Sequence, residues 1–177
     1  MDVRAEGAGG RAITEIRIIL ADDHDIFRKG LREILDKQSD MTVVGEAGDG
    51  IEAVSKAEEL APDVILMDLK MPHLDGIAAA RLITERDPEA KVIILTMYLE
   101  VEYVSEATKA GVRGYILKDA GLGKMLEAIR AVHRGEVRTA MAAWRRPGDY
   151  RAWPGTEPAR KTCAASLRAA WSTGYRS

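Results

Sequence analysis

The stretch Val64-Ile65-Leu66-Met67-Asp68 decides the fold of this 177-residue chain. Four apolar residues in a row, ending on a carboxylate, predict a strand that is covered on both faces, as the inner strands of parallel sheets are. The runs Ile18-Ile19-Leu20 and Val92-Ile93-Ile94-Leu95 have the same character and are rich in β-branched residues. These three runs are predicted to form the middle of a parallel sheet.

Short apolar runs alternate with helical patterns from Ile16 to about His133, which indicates the α/β class. The predicted strands are Ile16 to Ala21, Met41 to Ala47, Val64 to Asp68, Lys91 to Thr96 and Gly114 to Leu117. Thr42 and Gly45 interrupt the second strand, and the fifth is brief. We therefore expect these two strands at the edges of the sheet.

Helices are predicted between the strands, because apolar residues recur there on one helical face. The two clearest faces are Phe27, Leu31, Ile34 and Leu35, and then Leu122, Met125, Leu126, Ile129 and Val132. Further helices are predicted from Gly50 to Leu60 with Asp49 as its N-cap, from Asp75 to Arg86, and from Glu100 to Ala110. Gly111 and Gly135 are predicted to end helices as C-terminal glycines.

The chain divides into three segments by composition. Residues 1–14 are glycine-rich and aperiodic and are predicted to form a disordered leader. Residues 15–137 carry the α/β pattern. Residues 138–177 are basic, with one leucine and no Ile, Val or Phe, so we expect a low-order tail without a core or a recognisable helix-turn-helix.

Bulk properties exclude several classes of protein. No apolar run approaches the roughly 20 residues of a membrane-spanning helix, and no secretory signal is visible. A single cysteine, Cys163, forms neither an internal disulfide nor a cysteine-rich zinc site, which is typical of a reducing compartment. We expect a cytoplasmic protein without a membrane partner.

Polar residues follow the predicted strands where the chemistry of such a sheet is expected. In open α/β sheets, ligands bind beyond the carboxyl ends of the strands. Asp22 and Asp23 follow the first strand, Asp68 ends the third, Thr96 ends the fourth, and Lys118 follows the fifth. The sequence therefore predicts that residues far apart in the chain form one cluster.

Three converging carboxylates repel one another unless a cation lies among them, and oxygen ligands favour Mg²⁺. A carboxylate can then attack phosphorus, while Lys118 and the hydroxyl of Thr96 contact the transferring oxygens. The alternatives are a helix cap for Asp22 or Asp23, an ordinary strand end for Thr96 and a surface lysine for Lys118. The three histidines, His24, His73 and His133, share no ligand spacing and are interpreted as structural or solvent-facing.

Four motifs resemble the receiver domains of bacterial response regulators, in particular the NarL/LuxR group. They are Ile18-Ile19-Leu20-Ala21-Asp22-Asp23-His24, Met67-Asp68-Leu69-Lys70-Met71-Pro72-His73-Leu74-Asp75-Gly76, Leu95-Thr96 and Gly114-Tyr115-Ile116-Leu117-Lys118. The resemblance covers about Ile16 to Val137. It implies a flavodoxin-like (βα)5 doubly wound parallel sheet with strand order 2-1-3-4-5.

The resemblance also implies a role for each residue that matches the family's motifs. Asp68 would be the phosphorylated aspartate, Asp23 a direct Mg²⁺ ligand and Asp22 a ligand through water, while Lys70 would offer its backbone carbonyl. Thr96 and Lys118 match the switch hydroxyl and the lysine that pairs with the phosphoryl group, and Tyr115 matches the switch aromatic.

The function implied is phosphorelay signal transduction. A sensor histidine kinase would donate the phosphoryl group, phosphorylation would select one of two conformations, and a homodimer on phosphorylation is a family expectation. The domain would catalyse only its own phosphorylation and dephosphorylation. Full-length relatives continue into a DNA-binding domain and regulate transcription.

For this chain we expect no direct reading of DNA, because the tail lacks an apolar face that could dock a recognition helix. The tail is either a truncated or frame-shifted remnant or a natural extension. In the second case the chain would be a single-domain phospho-switch that acts by protein contact. An electron carrier of the flavodoxin type would need a glycine- and hydroxyl-rich phosphate loop, and a haloacid dehalogenase phosphatase would need an acid at Lys70.

Overall fold

The computed structural model describes residues 15–97 and 101–139, and the side chains of 102–137 in the second range. Strands and helices alternate along this part of the chain. They are β1 (Ile16–Ala21), α1 (Asp25–Leu35), β2 (Met41–Ala47), α2 (Gly50–Leu60), β3 (Val64–Asp68), α3 (Gly76–Arg86), β4 (Val92–Thr96), α4 (Val101–Lys109), β5 (Gly114–Leu117), α5 (Leu122–His133) and β6 (Arg138–Thr139).

All strand pairs are parallel and the sheet order is β2-β1-β3-β4-β5-β6. The predicted α/β class and the order 2-1-3-4-5 are therefore confirmed. Four of the five predicted strands have the observed bounds. The remaining strand, β4, begins at Val92 instead of Lys91. Our placement of the fifth strand at an edge is wrong, because the two-residue β6 pairs with Gly114 and Tyr115 on its outer side.

β3 and β4 are buried at every position because helices cover both faces of the sheet. One face packs against α2, α3 and α4, and its core includes Ile19, Ile65 and Ile94. The other face packs against α1 and α5 through Ile18 and Leu66. The consequence is a rigid centre from which the ends of β1, β3, β4 and β5 project their polar residues.

Helix ends follow the predicted signals in most cases. Asp49 accepts a hydrogen bond from the Glu52 backbone N–H at 2.8 Å and so caps α2. Gly111 and Gly135 have φ of 77° and 90°, which favours glycine at these C-terminal positions. Leu122 does not lie on the buried face that we predicted. It is 42% exposed because the buried part of α5 begins one turn later, at Met125.

Within the described residues, none of the helices is long and apolar enough to cross a membrane. The predicted leader, residues 1–14, and the tail from residue 140 onwards lie outside the described residues. The first two residues of the predicted tail form β6. The predicted fourth helix, Glu100 to Ala110, corresponds to α4, and Glu100 itself is outside the described part of the chain.

Candidate phosphoacceptor and metal site

Backbone hydrogen bonds continue the parallel pairing just past the strand ends and so fix where the polar side chains lie. The N–H of Asp22 donates to the carbonyl of Ala47 at 3.0 Å. The N–H of Leu69, next to Asp68, donates to Leu95 at 3.1 Å, and the N–H of Lys118 donates to Thr96 at 2.8 Å. Backbone hydrogen bonds to neighbouring strands therefore fix the positions of the residues that follow β1, β3 and β5.

Lys118 joins two of the predicted carboxylates. Its Nζ lies 2.7 Å from Asp22 Oδ2 and 3.2 Å from Asp68 Oδ2. The exposed fractions of the three side chains are only 5–7%, so water screens this contact little. The structure thus brings together three residues that are separated by up to 96 positions in the chain.

The electrostatic state of Asp68 reflects its burial. Burial raises the pKa of the Asp68 carboxyl above its ordinary value; Lys118 lowers it, and the nearby carboxylate of Asp22 raises it further. Its Oδ1 accepts a hydrogen bond from the Leu69 N–H at 2.8 Å. The other oxygen, Oδ2, faces Lys118. Burial and the neighbouring Asp22 carboxylate both disfavour the charged form of Asp68, so a further cation beside it would stabilise that form.

Asp23 and His24 complete the cluster on its solvent side. His24 Nδ1 lies 2.9 Å from Asp23 Oδ1, 3.3 Å from Asp22 Oδ1 and 4.0 Å from Asp68 Oδ2. The ring is 70% exposed, which agrees with our interpretation of His24 as solvent-facing. Its Nδ1 nevertheless lies close to the three carboxylates, a contact that the sequence did not predict.

Neither aspartate caps α1, which was the alternative interpretation of Asp22 and Asp23. The helix begins at Asp25, its N-cap residue is His24, and the His24 side chain makes no capping hydrogen bond. Asp22 Oδ1 accepts instead from the His24 backbone N–H at 2.8 Å, which closes the turn between β1 and α1.

The donor set fits a hard divalent cation. One potential ligand atom from each of Asp22, Asp23, His24 and Asp68 lies within 4.8 Å of the others. Three carboxylates against one ammonium leave an excess of negative charge, and carboxylate oxygens are the ligands that Mg²⁺ prefers. Receiver domains in general bind Mg²⁺. The residues of this chain are chemically suited to that ion.

Lys70 follows Asp68 by two residues, and its side chain points to α4. Its Nζ donates to the Tyr103 hydroxyl at 2.6 Å and lies 4.4 Å from the centre of the Tyr103 ring. The ammonium therefore lies against an aromatic face in addition to forming the hydrogen bond. The role of the Lys70 backbone carbonyl in metal binding stays a prediction.

Thr96 and Tyr115 lie on adjacent strands and are both 1% exposed. Thr96 ends β4 at the same edge of the sheet as Asp68, and Tyr115 is opposite Ile94 in the pairing of β4 with β5. The Tyr115 ring belongs to the core on the α4 side. The structure thus places the aromatic residue inward, while its role in switching stays a prediction.

Sequence reasoning missed two residues of α1 that contact the site. The Phe27 ring centre lies 4.6 Å from Lys118 Nζ. Arg28 donates to the backbone carbonyl of Asp22, to Glu46 Oε2 at 3.1 Å and to Asp25 Oδ1 at 2.6 Å. The position of Arg28, one turn into the helix after two aspartates, is a weak sequence signal for a contact with the site. Its partners depend on the direction in which α1 leaves the sheet.

Comparison with known proteins agrees with this geometry. The family model described as the response regulator receiver domain matches residues 18–130. The uncharacterized transcriptional regulatory protein YxjL of Bacillus subtilis (strain 168) is 47% identical over 131 residues, which cover 73% of this chain and 60% of that protein. The chain thus spans less than two thirds of the length of this relative.

Solved structures show the same similarity. A LuxR-family two-component response regulator from Aurantimonas sp. SI85-9A1 has a TM-score of 0.72 and 33% identity, covering 78% of this chain and 99% of that one. The receiver domain of RcsB from Salmonella enterica serovar Typhimurium, solved with the phosphomimetic BeF3⁻, has a TM-score of 0.66 and 28% identity, covering 74% and 97%. The chain belongs to the response regulator receiver domain family, in its NarL/LuxR branch.

Proposed function

We propose that this receiver domain accepts a phosphoryl group on Asp68 from a phosphohistidine of a sensor histidine kinase. One observation carries the proposal: a nearly buried lysine, Lys118, contacts the carboxylates of both Asp68 and Asp22 at the strand ends. Such a group of charges is costly in a folded protein, and this family uses it to receive a phosphoryl group.

The transfer needs little from the protein beyond position and charge. A carboxylate oxygen of Asp68 forms a bond to phosphorus, while the bond between phosphorus and the donor's imidazole nitrogen breaks and its electron pair returns to the imidazole. The Lys118 ammonium then contacts a phosphoryl oxygen in place of the Asp68 oxygen that it contacts at 3.2 Å. The Thr96 hydroxyl donates to a second oxygen.

Mg²⁺ would be held by Asp23 and Asp68 directly, by Asp22 through water and by the backbone carbonyl of Lys70. When bound, the ion supplies positive charge to the transferring oxygens. Asp22 has a second task, because its Oδ2 orients Lys118 and its Oδ1 holds the turn before α1. The domain catalyses this self-modification and its reversal, and no reaction on a separate substrate is proposed.

Phosphorylation selects between two conformations, and a homodimer of the phosphorylated form is part of the proposal. Thr96 moves towards the phosphoryl group and Tyr115 fills the space it leaves. We also propose that the domain controls transcription, because the Bacillus subtilis relative is named as a transcriptional regulatory protein. That name favours this function over a single-domain switch that acts by protein contact alone.

The proposal is tested by incubating the full chain with Mg²⁺ and acetyl phosphate, followed by intact mass spectrometry. We expect the added mass of one phosphoryl group, and we expect none in Asp68→Asn. Asp119→Asn is the matched control, since Asp119 is exposed and next to Lys118 in the chain. It should be phosphorylated normally. An adduct that persists in Asp68→Asn, or its absence from the unmodified chain, contradicts the proposal.

A further inference from the structure

His24 is an unusual neighbour for a magnesium site, because imidazole is a ligand of transition metals. The backbone N–H of His24 is bonded to Asp22 Oδ1 at 2.8 Å, so the turn that carries Asp22 and Asp23 also fixes the position of the ring. Its Nδ1 faces the carboxylates, whereas most of the ring is exposed. The ring is therefore placed by the same turn that places two carboxylates of the proposed metal site.

The distances from Nδ1 to the carboxylates allow it to share a Zn²⁺ ion with two of them. In a tetrahedral Zn²⁺ shell with bonds of about 2.0 to 2.1 Å, ligand atoms lie about 3.3 Å apart. Nδ1 lies 2.9 Å from Asp23 Oδ1 and 3.3 Å from Asp22 Oδ1, close to that separation, and 4.0 Å from Asp68 Oδ2, so the Asp68 oxygen must come closer when an ion binds.

His73 provides a comparison for His24, because it is an exposed histidine next to a single carboxylate. Its Nδ1 lies 3.1 Å from Asp49 Oδ2, and its side chain is 67% exposed, close to the 70% of His24. His73 thus contacts one carboxylate. His24 differs, because its Nδ1 approaches carboxylates from three residues at two strand ends.

We propose that His24 is a metal-specificity residue: its Nδ1 adds an imidazole ligand to the carboxylates of Asp22, Asp23 and Asp68, so that the site binds Zn²⁺ and similar transition ions in addition to Mg²⁺. This inference rests on the proposed function, since it concerns the same metal site. Nitrogen ligands favour the later first-row ions, whereas Mg²⁺ prefers oxygen and keeps its waters. His24 then raises affinity for Zn²⁺ and leaves affinity for Mg²⁺ nearly unchanged.

The chain has only three histidines, so each ring can be followed separately by NMR. Full-length chain without an affinity tag, labelled with ¹⁵N-histidine, is titrated with Zn²⁺ and separately with Mg²⁺. We expect Zn²⁺ to shift Nδ1 of His24 at the same concentrations at which it shifts the amides of Asp22 and Asp68. Because the signals are residue-specific, zinc bound at Cys163 does not enter the result.

The variant His24→Asn keeps a polar side chain but removes the imidazole, and we expect it to weaken Zn²⁺ binding at the aspartates by about tenfold or more. Mg²⁺ affinity should change by less than about twofold. The control His73→Asn removes the other exposed imidazole at a position whose φ of 64° asparagine tolerates. Its affinity for both ions should equal that of the unmodified chain.

Two results overturn the inference. In one, Zn²⁺ shifts the aspartate amides while the ring of His24 does not respond. In the other, His24→Asn binds Zn²⁺ as tightly as the unmodified chain. The Mg²⁺-dependent reaction of the unmodified chain with acetyl phosphate separates this failure from that of the proposed function, because phosphorylation of Asp68 in that chain persists when only the inference is wrong. If neither ion shifts the aspartate amides, the inference and the metal part of the proposed function both fail.

Discussion

The ammonium of Lys118 forms a 2.7 Å ion pair with the carboxylate of Asp22 across the end of the sheet. Lys118 follows β5 and Asp22 follows β1, and both β3 and β4 lie between those strands. The exposed fractions of the side chains are 7% and 5%. An ion pair at this depth is costly to break, because the remaining charge cannot recover its hydration. The pair therefore links charge at Asp68, the proposed phosphoacceptor, to the stability of the domain.

Replacement of Lys118 by methionine should destabilise the domain and strengthen metal binding. Without Mg²⁺, the free energy of unfolding should fall by about 3 kcal/mol, the lower end for a broken buried pair. Mg²⁺ should restore more stability to Lys118→Met than to the unmodified chain, since no ammonium then competes for the carboxylates. Urea unfolding with and without Mg²⁺ measures both effects.

Lys29→Met is the matched control for this change. Lys29 pairs with Asp25 at 2.6 Å, but its side chain is 69% exposed. Water screens an exposed pair, so the loss of stability should be much smaller than in Lys118→Met, and Mg²⁺ should not alter it. Both variants are compared without Mg²⁺. If Lys118→Met is then as stable as Lys29→Met, the buried pair does not stabilise the domain.

Gly76 allows α3 to begin directly against the end of β3, so we expect that no larger residue is tolerated there. A Cβ at this position would collide with the backbone carbonyl of Asp68. Backbone atoms cannot swing aside as a side chain does, so Gly76→Ala must move either the strand end or the helix. We expect a loss of about 2 kcal/mol or more and weaker Mg²⁺ binding, measured by unfolding and by metal titration.

Gly30→Ala provides the opposite expectation. Gly30 lies inside α1, and nothing within 4 Å would meet its added Cβ. Alanine is the better helix former there, so stability should rise by about 1 kcal/mol. If Gly76→Ala and Gly30→Ala change the free energy of unfolding in the same direction, the close approach of α3 to Asp68 does not determine the effect at Gly76.

The sequence predicted most of the fold because its inner strands are continuous apolar runs. Short apolar runs such as Val64 to Met67 are typical of strands that are covered on both faces, and the alternation with helices leaves few ways to connect them. The strand-end cluster was predictable for a related reason. Parallel strands share one carboxyl edge, so residues that follow them, such as Asp22 and Lys118, lie at the same edge of the sheet although β3 and β4 separate their strands.

The rest depends on contacts that no local pattern encodes. The approach of Arg28 to the Asp22 carbonyl depends on the direction in which α1 leaves the sheet. The strand β6 forms from Arg138 and Thr139 because backbone pairing with β5 needs no apolar side chains. The contacts of His24 come from a turn whose geometry is set by a hydrogen bond to Asp22. The spacing of apolar residues predicts which side chains are buried. These three features involve exposed side chains or the backbone, so that spacing does not predict them.

Tyr103→Phe should weaken the contact between α4 and the loop that follows β3. The hydroxyl of Tyr103 accepts a 2.6 Å hydrogen bond from Lys70, and phenylalanine removes that bond while it keeps the ring under the ammonium. The contact is exposed, so the global stability should fall by less than about 1 kcal/mol. Hydrogen exchange of the α4 amides should accelerate more than exchange in α5. Equal exchange in both helices would contradict this connection.

The pair of Asp40 and Arg130 should make the stability of the domain depend on pH. Arg130 Nε and Nη2 donate to the two oxygens of Asp40 at 2.7 and 2.9 Å, which joins the start of β2 to α5. The hydrogen bonds from Arg130 lower the pKa of Asp40 below its ordinary value of 3.8. The carboxylate form is thus favoured in the folded state, and the stabilisation is present above that value and lost as the pH falls below it.

Arg130→Gln should therefore lower the free energy of unfolding by about 0.5 to 1 kcal/mol at neutral pH, a small value because both side chains are partly exposed. The difference from the unmodified chain should vanish at pH values low enough to protonate Asp40 in the folded domain. Urea unfolding at a series of pH values measures it. Lys124→Gln removes an exposed charge from the same helix and should show no such dependence. A deficit in Arg130→Gln that persists at low pH would mean that the arginine stabilises by packing and not through the carboxylate.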